Sequence, residues 1–132
     1  MSEAAGYILR IATKQWVDQV FEMAIYYTNI RRKWKTEQTI LFIHKTKIGD
    51  AIVGYGVIEN VYEKDELPEE EKRQCERGGW NRAIEFRYVK QFDTSLLIKE
   101  TFLKGSKLRG RYFHGLKLTK EQLDNLMAKA EG

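Results

Sequence analysis

The stretch from Thr39 to Tyr62 reads TILFIHKTKIGDAIVGYGVIENVY, and it decides the fold class. Two runs rich in β-branched and aromatic residues, Ile40 to His44 and Ala51 to Val61, flank a polar segment that contains a Gly-Asp pair. This pattern predicts a β-hairpin. Both alternating faces of the second run carry apolar residues, so we expect one face to line a core and the other to be at least partly covered.

Gly54 and Gly56 lie two apart in the second run and remove side chains from successive positions on one face. Without side chains at these positions, the sheet can bend sharply or another group can approach the backbone. A long, glycine-kinked strand is typical of the element that closes a small barrel. We therefore expect the hairpin to be central to the fold, with Ile52 and Val57 in the core.

The chain has 132 residues, of which 42% are hydrophobic, enough for one ordinary core and too few for two. The sequence thus predicts a single domain over residues 1–132. No apolar run approaches 18 residues and the N-terminus has no signal-peptide pattern, which predicts a cytoplasmic protein without a membrane partner. The single cysteine, Cys75, cannot form an internal disulfide and fits a reducing compartment. No residue spacing indicates a metal or another cofactor.

The charged residues are segregated along the chain, whose net charge is +4. Residues 63–76 carry seven acidic and three basic side chains, whereas residues 77–132 carry twelve basic and six acidic ones. Such segregation is typical of a surface that binds a polyanion. The alternative is a solvated surface rich in lysine and glutamate, of the kind that thermophilic proteins favour.

Before the hairpin, the sequence predicts a short strand from Gly6 to Ala12 and a helix that Thr13 caps. Apolar residues at helical spacing give that helix a wide stripe, in which Trp16 and Phe21 are interpreted as core. We expect the helix to continue to the segment containing Tyr26, Tyr27 and Asn29.

After the hairpin, Pro68 and three glutamates predict the first turn of a short helix that ends at Gly78 and Gly79 and is too polar to contribute much core. Arg82 to Phe92 is predicted to be a strand whose core-facing residues are Ile84, Phe86 and Tyr88. The sequence TKEQ at Thr119 to Gln122 is a capping box that starts a closing helix.

Two segments combine cations with aromatic residues. The first, NIRRKWKT from Asn29 to Thr36, places four cations around Trp34; the second, GSKLRGRYFHG from Gly105 to Gly115, contains Tyr112, Phe113 and His114. Rings between cations suit a strand of nucleic acid, with the ring on a base and the cations on phosphates. Alternatively, the Trp34 indole folds inward as a lid on the core and the charges are solvated.

The order of elements, the KIGD turn (Lys47 to Asp50) leading into AIVGYGVI, and the aromatic segment from Arg111 to His114 followed by LTKEQLDNLM resemble the PUA-like superfamily, and within it the EVE type of domain. The resemblance implies an α+β fold: a small, strongly bent barrel of five or six mostly antiparallel strands with flanking helices. It also implies a cleft that binds RNA or a modified base. The glycine, lysine, glutamate and arginine spacing of the ASCH branch is not found, which puts the hydrolase activity of that branch in doubt here.

The leading functional hypothesis is a module that binds RNA or another single-stranded nucleic acid, with an unmodified or modified base on an aromatic side chain. The candidate base-stacking residues are Trp34 and Tyr112. Candidate polar groups of the cleft are Thr13, Lys14 and His114. The candidate phosphate-binding residues are cations of the two segments: Arg31, Arg32, Lys33, Lys107, Arg109 and Arg111.

Two other hypotheses stay open. The protein could be a small nucleotide- or RNA-processing hydrolase of the ASCH type, in which His114 would act as acid or base. No catalytic motif supports it, and a histidine between aromatics is more often a packed residue. The third hypothesis is a protein-interaction domain that uses the acidic segment. The sequence does not indicate an oligomeric state.

Overall fold

The computed structural model describes residues 4–30, 34–105 and 114–131. Within these ranges, six strands form one curled, mixed sheet, a half-barrel, and three α-helices pack on it. The strands are β1 (Gly6–Arg10), β2 (Ile25–Thr28), β3 (Thr39–Lys45), β4 (Asp50–Glu63), β5 (Arg82–Leu97) and β6 (Leu116–Leu118). The helices are α1 (Lys14–Met23), α2 (Glu69–Gly78) and α3 (Lys120–Glu131). This confirms the predicted α+β fold with a small, strongly bent barrel.

The predicted hairpin is the centre of the sheet. The strand order is β2-β5-β4-β3-β1-β6, so β3 and β4 occupy the middle. β1 pairs with β3 in parallel, and all other neighbouring strands are antiparallel. Ile52 is fully buried and Val57 is also in the buried class, as the sequence predicted.

The two glycines of β4 allow close approach, as expected. A Cβ at Gly54 would clash with the ring of Phe21 and with the backbone carbonyl of Lys90. A Cβ at Gly56 would lie 2.8 Å from Cδ1 of Phe86. Breaks in the register between β4 and β5 add to the bend.

The prediction that Tyr88 faces the core is wrong, and a β-bulge explains why. Val57 pairs with Tyr88 but the next residue, Ile58, pairs with Phe86, so β5 carries one extra residue at Arg87. Side chains alternate along a strand, so the extra residue changes which positions face the core: even-numbered positions before the bulge and odd-numbered positions after it. Ile84 and Phe86 are buried as predicted, and Val89 then packs against the same cluster. Tyr88 is instead 50% exposed.

The prediction that α1 continues to Tyr26, Tyr27 and Asn29 is also wrong. Ala24 adopts the left-handed conformation (φ 56°), and its N–H donates to the carbonyl of Val20, which ends the helix. The next four residues form β2, which pairs with the first residues of β5. The β-branched and aromatic sequence IYYT explains that strand.

Two helix predictions are confirmed and one is refined. The hydroxyl of Thr13 accepts from the N–H of Trp16, and Thr119 and Gln122 exchange the two hydrogen bonds of a capping box. The acidic segment forms α2, but it contributes more to the core than expected. Cys75, Leu67, Tyr27 and Ala83 form a third, small buried cluster. None of the helices in the described ranges is long and apolar enough to cross a membrane.

Candidate functional site

A cavity of 290 Å³ lies where α1, β2 and the end of β1 meet. Its volume is near the lower end of the roughly 300–1,000 Å³ that small-molecule sites occupy, which suits one base or nucleoside. Its lining is mainly apolar and aromatic, with a few polar groups: Arg10, Ile11, Ala12, Trp16, Gln19, Val20, Ile25, Tyr26, Tyr27, Trp80 and His114.

Aromatic rings form one wall of the cavity. Trp16 and Trp80 meet edge to face, with ring centroids 4.9 Å apart and an interplanar angle of 89°. Tyr27 stacks on Trp80 with centroids 5.6 Å apart and an angle of 17°. Flat rings set at right angles to one another offer both a face and an edge to a planar guest.

The end of α2 fixes the position of Trp80. Gly79 adopts the left-handed conformation (φ 73°), and the N–H of Trp80 donates to the carbonyl of Cys75 over 2.8 Å. A Cβ at Gly78 would clash with the indole, so the two consecutive glycines allow the ring to fold back over the helix end. The hydroxyl of Tyr27 donates to Glu71 of the same helix over 3.2 Å.

Three polar groups border the cavity. Burial raises the pKa of Tyr26 to about 12, so its hydroxyl is neutral at physiological pH, and it makes no hydrogen bond within the described ranges. Gln19, one helical turn after Trp16, brings an amide that both donates and accepts. His114 accepts the N–H of Arg10 through Nδ1 over 2.9 Å, so a neutral ring carries its proton on Nε2.

His114 is the one candidate from the sequence that the structure places in the cavity lining, among the candidates it describes. Thr13 uses its hydroxyl to cap α1, and the exposed Lys14 pairs with Asp18 over 3.2 Å. Seven candidates lie outside the described residues: Arg31, Arg32, Lys33, Lys107, Arg109, Arg111 and Tyr112.

Trp34 lies apart from the cavity, near the start of β1. Its ring meets Tyr7 edge to face, with centroids 4.9 Å apart, and it is partly buried against the core. Its Nε1 is buried and has no hydrogen-bond partner among the described residues. Gln38 fixes the segment by accepting the N–H of Lys35 over 2.7 Å. The inward-folded alternative therefore describes the placement of this ring.

Sequence reasoning missed the aromatic wall. The sequence predicts Trp16 to be a core residue; it does pack on the core, but it is half-buried and also borders the cavity. No sequence pattern assigns a functional role to Trp80 or to the Tyr26-Tyr27 pair. The available signal was the sequence GGW, because two glycines before a large ring indicate a helix end over which the ring folds.

A second depression, of 470 Å³, lies between the end of β5 and the end of α3. Charged side chains of both signs dominate its wall, among them Lys90, Asp93, Glu100, Lys129 and Glu131. It lacks the apolar enclosure that holds a small molecule. Among the described residues, no group of three or more histidine, cysteine or acidic side chains is arranged to hold a metal ion.

No family model matches the chain, and no curated protein matches it either. Solved structures do match. The ASCH domain from Zymomonas mobilis aligns with a TM-score of 0.67 and 10% identity over 92% of each chain. A point variant of that domain aligns with a TM-score of 0.66, covering 96% of this chain and 99% of the other. The Mmi1 YTH domain gives 0.58 and 13% identity, covering 98% of this chain and 93% of the other.

At these identities the likeness concerns the fold alone. It confirms the predicted PUA-like fold, which extends over nearly the whole chain. The narrower assignment to the EVE type stays a prediction.

Proposed function

We propose that the protein binds RNA or another single-stranded nucleic acid and holds one base, unmodified or modified, in the aromatic cavity. The observation that carries the proposal is the wall formed by Trp16, Trp80 and Tyr27. Base-aromatic stacking contributes about 1–3 kcal/mol per base and requires an unstacked base, which a single strand supplies. The PUA-like fold shared with the ASCH and YTH domains is consistent with this proposal.

Gln19 and Tyr26 are the proposed readers of the base edge. An amide can pair with adjacent donor and acceptor atoms of a base, as glutamine does with adenine. The neutral phenol of Tyr26 adds one donor, and His114 remains a proposed polar group of the cleft. These few polar groups on an apolar surface are typical of sites that select a ligand by orientation.

The flanking nucleotides are assigned to the segments that the sequence singled out. Trp34 and Tyr112 remain proposed stacking residues for those nucleotides. The cations Arg31, Arg32, Lys33, Lys107, Arg109 and Arg111 remain proposed phosphate ligands, since their charge is what a polyanion requires.

Binding is favoured over hydrolysis by the chemistry of the lining. Among the described residues that line the cavity, none carries a carboxylate, a thiol or an aliphatic hydroxyl. His114 is then an acid or base without a visible nucleophile. Turnover of a nucleotide panel tests the hydrolase alternative, and hydrolysis lost on His114→Ala would favour it.

The binding test uses a panel of unmodified and base-modified nucleosides, titrated by calorimetry. For the nucleoside that binds wild type, Gln19→Ala should weaken binding by about 5- to 10-fold, the loss of roughly one good hydrogen bond. Gln15→Ala is the matched control, because Gln15 lies on the same helix and is exposed to solvent. Equal behaviour of the two variants, or no binding by any nucleoside, would contradict the cavity as the base site.

A further inference from the structure

The tip of the β3–β4 hairpin displays an isoleucine to solvent. Ile48 is 67% exposed, and two exposed lysines, Lys45 and Lys47, precede it in the chain. Neither lysine forms an ion pair within the described ranges. The turn therefore offers a ligand both an apolar side chain and two positive charges, and covering Ile48 would remove apolar surface from water.

The tip is a preformed structure. The backbones of Thr46 and Gly49 exchange two hydrogen bonds, of 2.9 and 3.2 Å, around the two-residue loop of Lys47 and Ile48. The Thr46 hydroxyl also donates to the Gly49 carbonyl and accepts the N–H of Ile48. Gly49 has φ 141°, which a side chain rarely tolerates. Ile48 is thus held in a fixed place, and little conformational entropy would be lost on binding.

The ends of β3 and β4 that carry the tip contact the cavity rim. The backbone carbonyl oxygen of Ile11, which lines the cavity, lies 2.8 Å from Nδ1 of His44. Arg10, also in the lining, forms an ion pair with Asp50 over 3.5 Å. Ile48 lies four positions after His44, so at most about 13 Å of extended chain lies between their Cα atoms. A strand with one base in the cavity can therefore reach the tip with a neighbouring nucleotide.

We infer that Ile48 inserts against the base next to the one in the cavity, while Lys45 and Lys47 contact the adjoining phosphates. Apolar side chains are known to wedge between bases, and lysines hold phosphates as point charges. The inference rests on the proposed function, and it adds a second, sequence-independent contact that a free nucleoside cannot make.

The test compares Ile48→Ser with Met23→Ser. Met23 is a matched control because it is 66% exposed but follows Glu22 at the end of α1. A single-stranded RNA of about 10 nucleotides, within the length that one small barrel covers, is titrated by fluorescence anisotropy. Ile48→Ser should weaken its binding about fivefold, the effect of burying roughly half an isoleucine side chain. Met23→Ser should change it less than twofold, and neither variant should change nucleoside binding or the melting temperature.

A gain of affinity makes the test independent of any loss of folding. Ile48→Trp should tighten RNA binding about threefold, since an indole stacks on a base better than an aliphatic chain does. Equal RNA affinities of the Ile48 and Met23 variants would overturn the inference while leaving the base cavity intact. The inference would also be overturned if Ile48→Ser, but not Met23→Ser, lost binding to phosphatidylserine vesicles, because the tip would then be assigned to a lipid surface. If wild type binds neither nucleoside nor RNA, the proposed function fails first.

Discussion

The two faces of the curled sheet are built from the same strands but packed in different ways. On the cavity face, Tyr7, Leu9, Ile40 and Phe42 pack against α1, and half-buried rings border an opening. On the α3 face, the alternate residues of the same strands pack against Leu123 and Leu126 of α3. Aliphatic side chains fill the space under a helix closely, whereas large rings that meet edge to face leave room between them. Alternation along the strands therefore gives one face a core under α3 and the other the aromatic cavity.

The largest expected effect breaks the α3 face. Ile52→Asp would place an unpaired carboxylate in a fully buried site, at a cost comparable to the whole stability of about 5–15 kcal/mol. We expect loss of the cooperative thermal transition measured by circular dichroism. Ile48→Asp, in the same hairpin but exposed, is the control and should melt like wild type. A wild-type melting temperature for Ile52→Asp would show that the hairpin is not the core element.

The next effect concerns the bend that brings the cavity face together. Gly54→Ala should destabilise the protein by about 1–3 kcal/mol, because the added methyl meets the fixed carbonyl of Lys90 as well as the ring of Phe21. Gly56→Ala should cost less, since the atoms it meets belong to the side chains of Phe86 and Val89, which can shift. Urea denaturation measures both. An equal or reversed order would mean that the backbone contact does not limit the bend.

The order of elements and the central hairpin could be predicted because each depends on local pattern: alternation in β4, the cap at Thr13 and the box at Thr119. The exposure of Tyr88 could not, because it depends on one extra residue in β5 that only pairing with β4 reveals. The end of α1 was missed for a related reason. Ala24 has no preference for the left-handed conformation, and the pairing of β2 with β5 determines it.

The candidate site was harder to predict than the fold. Its wall joins Trp16 and Trp80, residues 64 positions apart that meet through α2 and β2. Sequence reasoning favoured aromatics between cations, where local composition carries the signal. His114 lies in the cavity lining, and its role there stays a prediction. For Trp34, the neighbouring charges gave no indication that the ring packs against Tyr7.

Trp34→Ala sharpens the distinction between a ring that packs and a ring that binds. If Trp34 stacks on a flanking base, the variant should lose about fivefold in RNA affinity, near the lower limit for one stacked base, with nucleoside binding unchanged. Trp80→Ala, on the cavity wall, should lose affinity for nucleoside and RNA alike. Anisotropy and calorimetry measure these affinities, and thermal melting is recorded in parallel. A lower melting temperature for Trp34→Ala with unchanged RNA affinity would assign the ring to the core alone.

The smallest expected effect is a change in the salt dependence of RNA binding, which separates contacts to phosphates from contacts to the base. Arg109→Ala should weaken RNA binding and flatten the plot of log affinity against log salt by about 0.7, the counterion release of one contact to a single strand. Arg111→Ala should behave in the same way. Arg73 is the matched control: it lies on the acidic helix α2, 3.9 Å from Glu69, and its removal should leave the slope unchanged. Gln19→Ala should lower affinity at every salt concentration without changing the slope, because a hydrogen bond to a base releases no counterion. Identical slopes for wild type, Arg109→Ala and Arg111→Ala would show that these arginines do not contact phosphates. That result would leave the aromatic cavity untouched, because nucleoside binding tests the cavity independently.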